Sequence, residues 1–182
     1  MVAGAKLIII TWNVVGFQLL PRDVRGRLEE DIIDAYKSAR DHLQLLRGRR
    51  LENLDLNDEV LSQAIKNVFQ IFSSKESIKS TGASKILHLL NPHIFMMWDE
   101  RIRKAYHVLH TGHNLNNVAE CYLQFLKQSQ EIVREVLRGM SEDEIWSRHL
   151  EFLDRVFFET FAFRESILKM LDGCNYVRFS KR

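Results

Sequence analysis

Apolar residues recur at three- and four-residue steps along most of this chain, which is the spacing of one face of an α-helix. The pattern predicts long helices over residues 23–46, from about 58 to 72 and over 115–137, and shorter ones from about 82 to 90 and from 100 to 109. No segment carries a convincing strand pattern. With the segments at the two ends of the chain the count is seven or eight helices, so the sequence predicts an all-α fold.

Capping and helix-breaking residues mark where these helices begin and end. Asn57 or Asp58 suits the N-cap position ahead of a buried apolar run, and Asp99 suits the same position ahead of a short basic helix. Thr81-Gly82 is predicted to open a helix. Asn91-Pro92 is predicted to stop it, because the residue before a proline is driven away from helical geometry.

The two ends of the chain carry their own signals. Leu7 to Ile10 begins an apolar stretch, but polar residues interrupt it well short of the roughly 18 apolar residues that a membrane-spanning helix needs. A buried first helix is therefore favoured over an anchor. Ser141 to Glu144 forms a capping box, with a hydroxyl cap and a carboxylate three residues on. A last short helix is predicted near Glu165 to Leu171, ending at Gly173.

Composition sets the class of protein and excludes some functions. The 182 residues, 46% hydrophobic and 27% charged, are typical of one globular domain, which we assign to residues 1–182. Two lobes with residues 75–110 bordering a cleft fit the same pattern. A net charge of +2 is too small for a general nucleic-acid coat, so only local basic patches could bind a polyanion. No nucleotide- or dinucleotide-binding motif is present, and we expect no cofactor and a cytoplasmic location.

The candidate chemistry is concentrated between Thr81 and Tyr106. Here a short helix carries Lys85 early in its length, and a proline turn and a bulky apolar loop then bring Asp99 to the start of the next helix. We predict that Lys85 and Asp99 are the reactive groups of one site. The side chains expected to bind substrate beside them are His88, Phe95, Trp98, Arg101, Arg103 and Lys104.

Asp99 has two interpretations that the sequence leaves open. A carboxylate at a helix N-terminus is stabilised by the backbone amides and the helix dipole, and a fixed anion can stabilise positive charge that develops in a reaction. The same residue can be an N-cap and nothing more, worth about 1 kcal/mol. The basic residues that follow it are likewise either a phosphate-binding rim or a solvated helix end.

The order of a glycine turn, a helix with an early lysine, a proline and an aspartate capping the next helix resembles that of the helix-hairpin-helix DNA glycosylase superfamily. The resemblance implies that Lys85 is the amine nucleophile that attacks the sugar, that Asp99 is the essential carboxylate, and that Thr81-Gly82 is the remnant of the hairpin. It also implies that a base is flipped out of the duplex into a pocket. The residues that could stack on that base are Trp98, Phe95 and His88.

The segment from Ser84 to Tyr106 is also similar to a set of uncharacterised prokaryotic all-helical proteins. That similarity names no ligand. It implies that one local site contains Lys85, His88, Trp98 and Asp99.

Two functions are therefore expected from the sequence. The first is that of a DNA-acting protein, distantly glycosylase-like, in which Lys85 and Asp99 excise a base. The alternative is a non-catalytic helical module that binds nucleic acid or a protein partner, with the same two residues as a structural ion pair and cap. One difference separates them: an enzyme needs Lys85 facing a cavity, whereas the module packs its stem and pairs its charge.

Three histidines at His107, His110 and His113 have a spacing that invites a metal interpretation. Only the first two would share a helix face, because Gly112 interrupts the helix before the third, and no cysteine lies nearby. We therefore expect surface histidines, no bound metal and no membrane association, and the oligomeric state stays open.

Overall fold

The computed structural model describes residues 2–12, 17–108, 115–141, 143–148, 167–175 and 178, and those residues contain helices and no strand. The predicted all-α fold is confirmed. Residues 143–148 are helical, and a 3-10 helix spans Leu51–Asn53. The α-helices with assigned bounds are α1 (Val2–Trp12), α2 (Arg22–Gly26), α3 (Leu28–Leu45), α4 (Glu59–Ser73), α5 (Lys79–Leu90), α6 (Glu100–Ala105), α7 (Leu115–Gly139) and α8 (Ile167–Asn175).

Helix α4 lies at the centre of the fold, packed against α3, α5 and α7, while α1 packs against α3 and α5. Its apolar residues fall at three- and four-residue steps, so one continuous stripe faces these neighbours. The buried members of that stripe are Leu61, Ala64, Ile65, Val68, Phe69 and Phe72. Residues of α1, α3, α4, α5, α6 and α7 belong to a single hydrophobic cluster, so these helices share one core.

The predicted N-terminal caps of three helices and the predicted end of one helix are confirmed. Asp58 accepts hydrogen bonds from the Val60 and Leu61 amides at 2.8 and 3.1 Å, and Asp99 accepts one from the Ile102 amide at 2.8 Å. Ser141 and Glu144 form the reciprocal bonds of a capping box. Helix α5 ends at Leu90, directly before the predicted Asn91-Pro92 stop.

The predicted glycine turn at Thr81-Gly82 is wrong. Helix α5 begins two residues earlier, at Lys79, whose positive φ of 56° closes the preceding turn. Gly82 is buried inside the helix, where an added Cβ would lie 3.3 Å from Ile78 Cγ2 and 3.5 Å from Ile9 Cδ1. The glycine therefore allows α1 to approach α5 closely, and its conformation is that of a helix instead of a hairpin.

Two other predicted boundaries also differ from the structure. The helix predicted over residues 23–46 is divided at Arg27 into α2 and α3. Helix α8 continues through Gly173 to Asn175, because packing of its last turn keeps the glycine helical. His110, His113 and the helix residues predicted after 148 lie outside the described residues.

The first helix is buried on one face only. Ala5 and Ile9 belong to the core, whereas Leu7 is 61% exposed. Within the described ranges, no helix is both long enough and apolar enough to cross a membrane.

Candidate functional site

A hydrogen bond joins the two segments that carry Lys85 and Asp99. Ser84, fully buried on α5, accepts a hydrogen bond from the Trp98 amide at 3.1 Å. Its hydroxyl proton lies within reach of two carbonyl oxygens, that of Thr81 at 2.9 Å and that of Trp98 at 3.3 Å. Lys85 follows Ser84 and Asp99 follows Trp98, so this contact fixes the relative positions of the two charged residues.

Lys85 and Asp99, distant by 14 positions in sequence, are close enough in space to interact electrostatically. The Lys85 side chain is half-buried. Burial lowers the pKa of its ammonium group below the ordinary value, and the Asp99 carboxylate offsets part of that shift. The predicted juxtaposition of the amine and the carboxylate is thus present in the structure, and the amine loses its proton more readily than that of an exposed lysine.

Asp99 is held in place at the N-terminus of α6. Its carboxylate accepts the Ile102 amide hydrogen, and its carbonyl oxygen lies 3.4 Å from Nε of Arg103. Arg103 extends back over Trp98, with its guanidinium carbon 5.4 Å from the ring centroid, within the range of a cation–π contact. Burial lowers the pKa of the Arg103 guanidinium, while Glu100 and Asp99 raise it. One carboxylate is therefore shared by a helix cap, a lysine and an arginine.

The aromatic side chains predicted to stack on a base lie in the core of this structure. Trp98 is 1% exposed, and its ring packs edge-on against Phe69 and Tyr122, with centroids 5.4 and 4.9 Å away. Its indole nitrogen donates to the Ser80 carbonyl at 3.2 Å. Phe95 is fully buried. In this conformation both side chains anchor the loop that carries Asp99 to the core.

His88 is also buried, and its partners hold the same loop. Nδ1 of His88 lies 2.7 Å from the Phe95 carbonyl oxygen, which can only accept, so Nδ1 carries the proton of that bond. The same nitrogen lies 3.4 Å from a carboxylate oxygen of Asp172 on α8. That oxygen also accepts the Met97 amide hydrogen at 3.2 Å. The histidine thus connects α5, the loop over residues 91–98 and α8.

Two buried tyrosines donate hydrogen bonds next to this site, one to the loop over residues 91–98 and one to α8. Tyr122 of α7 is fully buried and donates to the Met96 carbonyl at 2.8 Å. Tyr106, just after α6, donates to the side-chain oxygen of Asn175 at 3.2 Å. Burial raises the pKa of both phenols, and the Asp172 carboxylate adds to each shift. Both phenols are therefore neutral hydrogen-bond donors.

The remaining predicted substrate-binding residues lie on α6. Arg101 and Lys104 are exposed, and Lys104 forms an i, i+4 ion pair with Glu100 at 2.6 Å. Arg103 is half-buried, as described above. Positive charge is therefore present next to Asp99 on one short helix. Among the residues that the structure describes, no group of three or more His, Cys, Asp or Glu side chains could hold a metal ion.

Two residues of this site were not predicted from the sequence. Ser84 gave no signal of its own, since a serine one position before a lysine in a helix is unremarkable. Asp172 lies 75 positions from Met97, and no local pattern links the two. The one hint in the sequence was that Asp172 stands among apolar residues. A carboxylate that becomes buried among such residues needs a specific partner.

Removing the Ser84 hydroxyl is expected to destabilise the protein. In Ser84→Ala the buried Trp98 amide loses its acceptor, and we expect the free energy of unfolding to fall by about 1–3 kcal/mol in urea titrations. Ser74, directly after α4, is a matched control, since its hydroxyl also donates to a backbone carbonyl three residues earlier but is exposed. Ser74→Ala should change stability by less than about 0.5 kcal/mol. Equal effects of the two substitutions would contradict the contact described here.

Comparison of the chain with protein-family models, with curated proteins and with solved structures finds no match in any of the three.

Proposed function

We propose that this protein acts on DNA as a distantly glycosylase-like enzyme, in which Lys85 supplies an amine nucleophile and Asp99 a fixed carboxylate. The observation that carries the proposal is the Lys85 amine, half-buried, with a lowered pKa and an anion beside it at a helix N-terminus. A lysine becomes nucleophilic when burial shifts it toward its neutral form. The cytoplasmic location predicted from the sequence is part of the same proposal.

The proposed chemistry follows from these two groups. The neutral amine of Lys85 forms a bond to C1′ of the deoxyribose as the bond from C1′ to the base breaks, and the departing base takes the bonding pair and a proton. Opening of the sugar ring then converts the new carbon–nitrogen bond to an imine, with the remaining amine proton passing to the ring oxygen. Asp99 stabilises the positive charge that the sugar carries between these states.

The cations of α6 support DNA as the partner. Arg101 and Lys104 are exposed next to Asp99, where they can contact phosphates on either side of the target nucleotide. Such contacts position the strand without reading its sequence. Binding should then weaken steeply with added salt, because each neutralised phosphate releases counterions.

The second candidate is a non-catalytic helical module, and a separate observation favours it. The residues expected to receive a flipped base, Trp98, Phe95 and His88, are buried and hydrogen-bonded or packed within the fold. Asp99 meanwhile serves α6 as a cap. In this alternative the Lys85–Asp99 interaction stabilises the fold, and the basic residues bind nucleic acid or an acidic protein surface.

Borohydride trapping separates the two candidates. The protein is incubated with a duplex that contains one abasic site, whose aldehyde condenses with an amine to give an imine and water, and borohydride reduces the imine to a stable secondary amine. The proposal predicts a covalent protein–DNA adduct. Absence of an adduct, together with no base release from duplexes carrying damaged bases, favours the module. Salt-sensitive duplex binding without an adduct would then identify nucleic acid as its partner.

A further inference from the structure

Helix α8 contacts the loop over residues 91–98 through a buried carboxylate. Asp172, 3% exposed, accepts the Met97 amide hydrogen at 3.2 Å with the same oxygen that lies 3.4 Å from His88 Nδ1. A carboxylate is costly to bury, and an apolar side chain would fill this position in the core at no such cost. Its Oδ2 atom faces the loop that carries Asp99.

The loop is therefore held from two sides immediately before Asp99. On one side the Met97 amide is bound by Asp172 of α8, and on the other the Trp98 amide is bound by Ser84 of α5. Both bonds involve backbone groups, so they fix the path of the chain itself. The next residue along that path is Asp99, whose carboxylate interacts with the Lys85 amine.

We propose that Asp172 is a positioning residue: by binding the Met97 amide and His88, it holds the loop so that the Asp99 carboxylate stays within interaction distance of the Lys85 amine. The catalytic importance of the Lys85–Asp99 pair rests on the function proposed above. The positioning of Asp99 by Asp172 does not depend on whether the protein reacts with DNA. In this role Asp172 acts on Asp99 through the loop, by its contacts with the Met97 amide and His88.

The test measures the coupling between Asp99 and Lys85 in the whole protein, without DNA. Lysine labelled with carbon-13 is incorporated, and the Lys85 Cε signal, assigned by its loss in Lys85→Arg, is followed against pH. Asp99→Asn removes the carboxylate that raises the Lys85 pKa, so this pKa should fall. In the Asp172→Ala background, the same Asp99→Asn substitution should shift the Lys85 pKa by less than about half as much, because coupled sites are non-additive.

Two variants on α8 act as controls for a general loosening of that helix. Asn175 is also buried on α8 but bonds Tyr106 instead of the loop, so Asn175→Ala should leave the Asp99–Lys85 coupling intact. Asp172→Asn keeps an oxygen that can accept the Met97 amide hydrogen, and it should retain most of the coupling. A folded Asp172→Ala variant with undiminished coupling overturns the proposal, as does an equal loss in Asn175→Ala.

A measurement on the unaltered protein decides the matter if Asp172→Ala does not fold. The proposal requires the Met97 amide hydrogen to exchange with solvent at least about 100-fold more slowly than an unprotected amide. Exchange at the unprotected rate overturns it. A protein that shows the coupling but yields no DNA adduct would refute the proposed enzyme activity and leave the positioning role of Asp172 standing.

Discussion

Replacing Lys85 with glutamine should lower the yield of the borohydride-trapped DNA adduct by more than about 100-fold, because the substitution removes the nucleophile itself. Glutamine keeps much of the length of the lysine stem and cannot form an imine. The yield is measured on an abasic duplex, by gel, at matched protein concentration.

The control for this experiment is an exposed lysine on another helix. Lys37 of α3 is exposed to solvent, and Lys37→Gln should leave the yield unchanged. A second check is the pH dependence. Because burial lowers the pKa of Lys85, its neutral form accumulates at a lower pH than that of a solvated lysine, so adduct formation should rise with pH and level off below the range that an ordinary lysine amine requires. Equal adduct yields from the two variants would contradict the role given to Lys85.

Replacing Trp98 with alanine should cost about 3–5 kcal/mol of unfolding free energy. The ring is buried against Phe69, Tyr122 and Phe125, and its truncation leaves a cavity that the surrounding side chains cannot fill. It also leaves the Ser80 carbonyl without the indole donor. The change is measured as a shift of the urea midpoint at constant slope.

The Trp98→Phe variant separates the contribution of ring packing from that of the indole hydrogen bond. Phenylalanine restores part of the ring contacts and loses the hydrogen bond to Ser80, so its cost should lie well below that of alanine. A loss of less than about 1 kcal/mol in Trp98→Ala would contradict the buried position, since that is the range of surface substitutions. It would also restore Trp98 as a candidate for stacking on a base.

Much of the fold could be predicted from the sequence because local signals determine where most helices begin and end. Side-chain caps at Asp58, Asp99 and Ser141 act on amides two or three residues away, and a proline acts on the residue before it. The errors arose where tertiary contacts override the local signal. Gly82 lies inside α5, where the absence of a side chain allows Ile9 of α1 to come close, and a glycine near the end of α8 does not end that helix.

The candidate site divides in the same way. The proximity of Lys85 and Asp99 follows from a helix, a proline turn and a cap that lie within one stretch of chain, so local reasoning could bring them together. The contributions of Ser84 and Asp172 depend on which backbone amides the folded loop presents, and for Asp172 on a helix far along the chain. Stacking of a base on Trp98, Phe95 or His88 stays a prediction, and the structure places all three side chains in buried positions.

The most direct test of the central claim is to identify the lysine that borohydride links to an abasic duplex. The trapped adduct of the unaltered protein is digested with a protease and a nuclease, and the peptide that carries the residual sugar is sequenced by mass spectrometry. The proposed function predicts that the modified residue is Lys85. Linkage through other lysines, with Lys85 recovered unmodified, would contradict it.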